Sequence, residues 1–351
     1  MRLDDLIHRP AAWLTSEGPP GIVVSSRIRL ARNIEGLAFP GWAGDEECVR
    51  IQAQVWEMLQ GVSGLSPCLA VDMASLSAVD RDFLRERHLI SNDLAQKSKG
   101  SGVVIRADEC LSVMVNEEDH LRLQALRNGL QLNELWADVN ELDTQIEQHV
   151  RFAFSPALGY LTACPTNVGT GLRASAMLHV PGLRLINEID PIIKGLTKIG
   201  LAVRGLQGEG TEASGNMFQI SNQMTLGESE PVIIDRLARI VTEVAQHEAN
   251  ARIRLQEQRG AAIEDFVGRA YGVLSHARVL NSREALDMLS ALRFGCELGI
   301  ISNLKLPDLN RLVLYSMPGH LQKSEGRLIP PDERDYVRAR LVRETVRQAS
   351  M

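Results

Sequence analysis

The sequence has no C-x-x-C pair, and its five cysteines, Cys48, Cys68, Cys110, Cys164 and Cys296, are odd in number and far apart. That spacing suggests neither a disulfide framework nor a zinc site, so a reducing compartment is expected. No apolar run approaches the length of a membrane span, and the opening Met1-Arg2-Leu3-Asp4-Asp5-Leu6 puts acids where a secretion signal needs an unbroken apolar stretch. The expected location is the cytoplasm. A basic excess is missing too: 38 Lys and Arg against 44 Asp and Glu give a net charge of -6. That balance argues against nucleic acid as the main partner. Internal repeats and low-complexity tracts are absent. So is G-x-x-x-x-G-K-[ST], which excludes the P-loop as a motif.

What is present is ordinary globular material, with 351 residues, 44% hydrophobic and 23% charged. Such a length reads as one large domain and a smaller one. Residues 21–34 begin as an apolar run, Gly21-Ile22-Val23-Val24, and pass into alternating apolar and basic residues, a strand period leading into a basic loop. Val49, Ile51, Val55, Met58 and Leu59 recur at helical spacing over 46–59. Strands are expected at 67–73, 103–106 and 111–115, the last two forming an antiparallel hairpin across Ala107-Asp108-Glu109. Helices are expected over most of 118–150, at 172–179 and at 183–199, with strands at 201–206 and 217–225. From Asp235 the pattern is amphipathic helix, continued at 263–278, 283–299, 306–315 and 333–348. Long helices mixed with antiparallel-looking strands, without strict alternation, indicate an α+β fold rather than a doubly wound sheet. Gly260 is a plausible boundary. The division expected is a catalytic domain over 1–258 and a helical C-terminal domain over 259–351.

The chemistry is suggested by arginines and glutamates. Arg27 and Arg29 lie two apart on a strand-like segment and face one side. Arg173 follows a Gly/Thr loop, and Arg204 ends the apolar stretch Leu201-Ala202-Val203. Arg122 lies four residues beyond Glu118 on an expected helix begun at Asn116, which would place both on one face. Convergent arginines suit a triphosphate, because planar guanidinium forks bind phosphate oxygens in pairs and stay charged. Gly169-Thr170-Gly171-Leu172-Arg173-Ala174 satisfies G-x-G-x-x-A, but Cys164-Pro165-Thr166-Asn167 before it is not the strand a dinucleotide turn requires.

Taken in order, several segments resemble the successive motifs of the ATP:guanido phosphotransferases, the creatine and arginine kinase family. They are Ser25-Ser26-Arg27-Ile28-Arg29, Asn116-Glu117-Glu118-Asp119-His120-Leu121-Arg122, Cys164 through Gly171, Arg173-Ala174-Ser175, Val203-Arg204-Gly205 and Gly208-Glu209-Gly210. The resemblance covers roughly residues 21–254 and implies an antiparallel sheet flanked by helices. The metabolite kinases carry a helical domain before the S-x-R-x-R motif, which here begins at Ser25. Its absence, with the added helical C-terminal part, points to the bacterial protein-arginine kinase (McsB) branch.

The resemblance implies a site as well as a fold. Glu118 and Glu209 grip the acceptor guanidinium and serve as base, while Cys164, expected as a thiolate, helps orient it. ATP is taken by Ser25, Ser26, Arg27, Ile28, Arg29, His88, Arg122, by Arg173, Ala174, Ser175, Ala176, Met177, and by Arg204, Gly205, Leu206, Gln207, Gly208 and Glu209. Gln207 stands where that branch is expected to carry Tyr. Arg334, Asp335, Arg338 and Ala339 are similar to an R-D-x-x-R-A phosphoarginine-binding motif, and i, i+4 spacing puts Arg334 and Arg338 on one helix face. Mg2+ accompanies ATP, held by phosphate oxygens and water with no dedicated carboxylate cage expected. The implied partners are arginine-containing proteins, a stress-response repressor, the Clp protease and a zinc-binding activator, and a homodimer is expected. Two other readings remain open, a kinase of free arginine or another small guanidino compound and an inactive phosphoarginine-binding adaptor.

Overall fold

The computed structural model describes residues 2–14, 21–205 and 214–348. Its strands are β1 (Val23–Arg32), β2 (Cys68–Asp72), β3 (Gly102–Arg106), β4 (Leu111–Val115), β5 (Leu121–Asn128), β6 (Phe154–Ser155), β7 (Gly159–Tyr160), β8 (Leu172–His179), β9 (Leu201–Gly205) and β10 (Met217–Asn222). Its helices are α1 (Asp45–Gln60), α2 (Ala78–Glu86), α3 (Asn92–Gln96), α4 (Leu132–Glu147), α5 (Pro181–Leu185), α6 (Ile189–Lys198), α7 (Glu230–His276), α8 (Ser282–Glu297), α9 (Leu306–Tyr315), α10 (Pro318–Glu325) and α11 (Pro331–Gln348). Eight strands form one sheet in the order β2-β3-β4-β5-β1-β8-β10-β9, and β6 pairs with β7. The run from β2 to β1 is antiparallel at each step.

The chain divides into two compact units, and the division passes through β1, β8, β10 and α7 themselves. The first holds the segment ending at Trp13, Ser25–Ser175 and Ser221–Ala238. Within it, the register sets Leu30 against Leu123 and Ile28 against Ala125, so one sheet face is apolar. The α4 residues Leu135, Val139, Leu142 and Ile146 recur at helical spacing and are buried. Two ion pairs tie α4 to that same face: Arg32 to Asp143 at 2.8 Å and Arg127 to Asp138 at 2.5 Å. Arg32 also lies over the Tyr160 ring, 3.5 Å from its centroid. The opposite face is thereby left to the polar residues that alternate with these.

The second unit holds Leu14–Val24, Ala176–Ile220 and Arg239–Met351. Its helical part packs around Leu274, Leu289, Leu292, Leu312 and Val342. In α7 the backbone leaves helical geometry at Arg259, with φ -141°. A buried polar network joins β8 to the helices: His179 Nε2 lies 2.8 Å from Ser290 Oγ, and Glu297 accepts from Arg252 at 2.8 Å and Arg293 at 3.0 Å.

The α+β class and the strands at 67–73, 103–106 and 111–115 agree with the expectation. Three local readings need correction. Residues 121–128 form β5 and 172–179 form β8, where helix was expected, and β1 runs on through Arg32, so the strand that carries Arg27 and Arg29 is longer than the strand-then-loop reading of 21–34. In β5 and β8 the segment is buried inside the sheet, and a paired, buried environment outweighs the helix propensity of Leu, Ala, Met and Gln.

Candidate active site

The site grows from the register of β1 and β5. Arg29 lies opposite Gln124 and Ala31 opposite Arg122, so Arg27, Arg29, Arg122 and Gln124 share one sheet face. Gly171 feeds β8, which carries Arg173, against β1: its carbonyl accepts from Ala31 N at 3.0 Å. The glycines of the Gly-Thr-Gly stretch are demanded by packing. Gly171 has φ +66°, and a Cβ there would come within 2.6 Å of Ala31 O; at Gly169, φ +111°, it would meet Thr225 O at 2.4 Å. The G-x-G match therefore reflects close backbone approach, not a dinucleotide turn.

The cluster strains against itself. Burial, then repulsion from Arg122 and Arg173, holds the Arg27 guanidinium down to about 10. Arg29 is pushed well below the usual arginine value by burial and by Arg27, Arg122 and Arg173, and only Glu117 pulls it back. The Nε of Arg29 is buried with no hydrogen-bond partner among the described residues. Like charges gathered in a low-dielectric setting repel one another, and an anion bound among them would offset that repulsion. His88 belongs to the same region: its carbonyl accepts from Gln124 Nε2 at 2.7 Å. Burial, followed by Arg27, Arg85 and Arg29, lowers its imidazole to about 3, so the ring is neutral at pH 7.

Beside the arginines stands a carboxylate turn. Asn116 takes φ +52°, and the chain reverses over 116–120 before entering β5. Arg122 therefore reaches its acids from a strand, not from a shared helix. Its Nη1 donates to Glu117 Oε1 at 2.6 Å and its Nη2 to Glu118 Oε2 at 2.9 Å. Glu117 is buried and also accepts from Ser91 Oγ. Glu118 is more open, its side chain 40% exposed, and burial outweighs the pull of Arg122 to raise its carboxyl above the usual value, with Asp119 and Glu117 adding to the rise. Asp119 Oδ1 accepts from Asn33 Nδ2 at 2.6 Å and from Ala163 N at 2.7 Å, which fastens the turn to the segment that carries Cys164. Cys164 is half-buried, with Sγ 3.0 Å from Thr166 Oγ1.

The other expected residues fall variously. Ser26 and Ile28 face the α4 side: Ser26 Oγ bonds Gly129 O at 2.7 Å and Gln131 N at 2.9 Å, and Ile28 is core. Ser25, Ala174, Ser175, Ala176 and Met177 are buried along β1 and β8. Arg204 is exposed on β9, which Gly205 ends, in the second unit. Leu206, Gln207, Gly208 and Glu209 lie outside the described residues. On α11, Arg334 and Asp335 are half-buried and Ala339 is core, while Arg338 is 1% exposed and donates to Ser316 O and Leu280 O at 2.8 Å each and to Asp335 at 2.5 Å. Sequence reasoning missed Glu117, Gln124 and Ser91. The alternation Leu121, Leu123, Ala125 against Arg122, Gln124 was the available signal for Gln124.

Residues 50–251 match the ATP:guanido phosphotransferase C-terminal catalytic domain, and residues 260–351 match the protein-arginine kinase McsB C-terminal domain. A protein-arginine kinase of Moorella thermoacetica is 48% identical over 96% of this chain and 98% of its own. One of Desulforamulus reducens is 43% identical over 100% and 99%. Among solved structures, a taurocyamine kinase from Schistosoma mansoni aligns with TM-score 0.59 and 24% identity, over 78% of this chain and 40% of that one. A lombricine kinase aligns with TM-score 0.57 and 24% identity over 70% and 76%, and these two likenesses concern the fold. The chain belongs to the ATP:guanido phosphotransferase family, among its protein-arginine kinases.

Proposed function

We propose that the protein transfers the γ-phosphoryl group of ATP to a guanidino nitrogen of arginine side chains in other proteins. The observation that carries this reading is the gathering of Arg27, Arg29 and Arg122 on one sheet face, electrostatically coupled to Arg173 and with Glu118 alongside. The arginines bind the phosphates and offset the charge that spreads over the moving phosphoryl group. The acceptor nitrogen attacks the γ-phosphorus in line, the bond to the β–γ bridging oxygen breaks, and ADP leaves. Glu118, with Glu209, holds the planar guanidinium in pairs of hydrogen bonds and takes the proton that the nitrogen releases. Cys164 lies against the same group and orients it. Magnesium held by the phosphate oxygens and water would supply further charge neutralisation.

The proposal extends to setting. No described helix is long and apolar enough to cross a membrane, and the cytoplasm is the proposed location. A catalytic part over 1–258 and a C-terminal part over 259–351 are proposed, with Arg334, Asp335, Arg338 and Ala339 as a phosphoarginine site acting allosterically. A homodimer, a stress-response repressor, the Clp protease and a zinc-binding activator are proposed on resemblance alone.

The test is transfer of labelled γ-phosphate from MgATP to an unfolded arginine-containing protein, with free arginine in parallel. Acid-labile, base-stable label on the protein supports the reading. Label on free arginine alone moves the chain to the metabolite kinases, and none on either, with activator supplied, leaves a binding adaptor.

A further inference from the structure

We infer that the N-terminal segment ending at Trp13 forms a wall of the nucleotide site, with Trp13 as a positioning residue for the His88 ring. The inference rests on the reading of His88 as a nucleotide contact. Residues before 50 lie outside the matched catalytic family model, so nothing in that match assigns this segment a role.

Trp13 is fully buried, and its ring meets His88 edge-on, with centroids 4.7 Å apart and planes at 63°. His88 adopts φ +60°, a left-handed conformation that is unfavourable for a side-chain-bearing residue and persists only when its surroundings hold it. The restraints are visible. His88 N donates to Arg85 O at 2.9 Å, and its carbonyl is held by Gln124, the cross-strand neighbour of Arg29. The backbone of His88 is thus tied to the arginine face, and Trp13 supplies a ring contact to its side chain.

The segment is anchored next door. Arg87 is buried, pairs with Glu109 at 2.6 Å and donates to Arg9 O at 3.1 Å, while Arg9 Nη1 reaches Ala107 O at 3.3 Å. These bonds clamp the chain before Trp13 onto the turn that presents His88. Trp13 also keeps a buried indole N–H with no acceptor among the described residues, a cost that a phenylalanine at the same place would not carry. A residue kept at such a cost beside a strained histidine is suited to a site more than to filling space. With the cations of the arginine face proposed for the phosphates, the nucleoside end of ATP is left to this wall.

The test compares Trp13→Leu, Trp13→Phe, His88→Ala and, as a stability control, Leu6→Ala, which empties a buried position on the same segment. MgATP affinity is measured by calorimetry, with KM for ATP and for a protein acceptor and the melting temperature alongside. Trp13→Leu is expected to weaken MgATP by about tenfold, with the acceptor KM within about twofold of the parent, and Trp13→Phe to recover most of the loss. Leu6→Ala is expected to lower the melting temperature and leave MgATP affinity within about twofold. If Trp13→Leu leaves affinity unchanged while His88→Ala weakens it, Trp13 is packing only and the inference falls. Equal losses in Leu6→Ala and Trp13→Leu overturn it too, as an effect of folding. If His88→Ala itself leaves MgATP affinity unchanged, it is the reading of His88 that fails.

Discussion

Arg122 holds Glu118 at 2.9 Å while its other terminal nitrogen holds Glu117 at 2.6 Å. On the proposed assignment the arginine that takes phosphate is thereby the partner of the carboxylate that takes the acceptor, and Glu118 would compete with phosphate for it. Replacing Glu118 with Gln removes the base and the competitor together. The turnover number is expected to fall by about 10^2 to 10^4 while MgATP affinity stays equal or improves. Glu118 is raised by burial above the ordinary carboxyl value, so activity is present above that raised pKa and is lost as pH falls through it. A kcat/KM profile of the parent enzyme would show its acid limb above about 4.3, the value of an unperturbed glutamate.

A second pH effect belongs to stability. Burial, then repulsion from Arg293 and Arg252 against attraction to Glu297, lowers His179 to about 4. Burial pushes Glu297 up, but His179, Arg293 and Arg252 outweigh it and bring it down to about 2. The unfolded histidine takes its proton near 6.5 and the unfolded glutamate near about 4.3, so in both cases the unfolded chain binds protons first. Stability from the pair is full above about 6.5, is eroded by His179 down to about 4, and by Glu297 from about 4.3 toward 2. Urea titrations from pH 7 to 4 are expected to lose on the order of 3 kcal/mol at most, with His179→Gln abolishing the loss above about pH 5. A loss unchanged in that variant would place the sensitivity elsewhere.

On α11, Arg338 is committed to the carbonyls of Ser316 and Leu280, whereas Arg334 is half-buried. Arg338→Ala would leave two carbonyls and Asp335 without their cation and is expected to destabilise the protein by about 3–5 kcal/mol. Arg334→Ala is expected to change stability by no more than about 0.5 kcal/mol. Denaturant midpoints decide it, and equal effects of the two would show that Arg338 is not the anchor its bonds describe.

Much of the sheet was readable because β3 and β4 are short runs rich in β-branched residues on either side of a turn, and Arg27 and Arg29 were paired on one face by period alone. The strands β5 and β8 were not. Leu121–Asn128 follows a Glu-rich turn that looks like a helix start, and Leu172–His179 is rich in Leu, Ala and Met, so local preference named a helix where position in the sheet imposed a strand. The link between Arg122 and Glu118 was anticipated for the wrong reason. It comes from a reversal at Asn116, not from one helical turn. Trp13 against His88 and Arg338 against Ser316 are long-range contacts, which no sequence period encodes.

On the proposed function the arginine face is built for phosphate at the expense of stability. The most direct measurement is the melting temperature and MgATP affinity of Arg29→Met, taken together. Removing one buried like charge is expected to stabilise the nucleotide-free protein by about 1 kcal/mol while weakening MgATP at least about tenfold and abolishing the thermal shift that MgATP gives the parent. A variant that melts lower than the parent yet binds MgATP within about twofold of it would show that Arg29 serves the fold and not the phosphates.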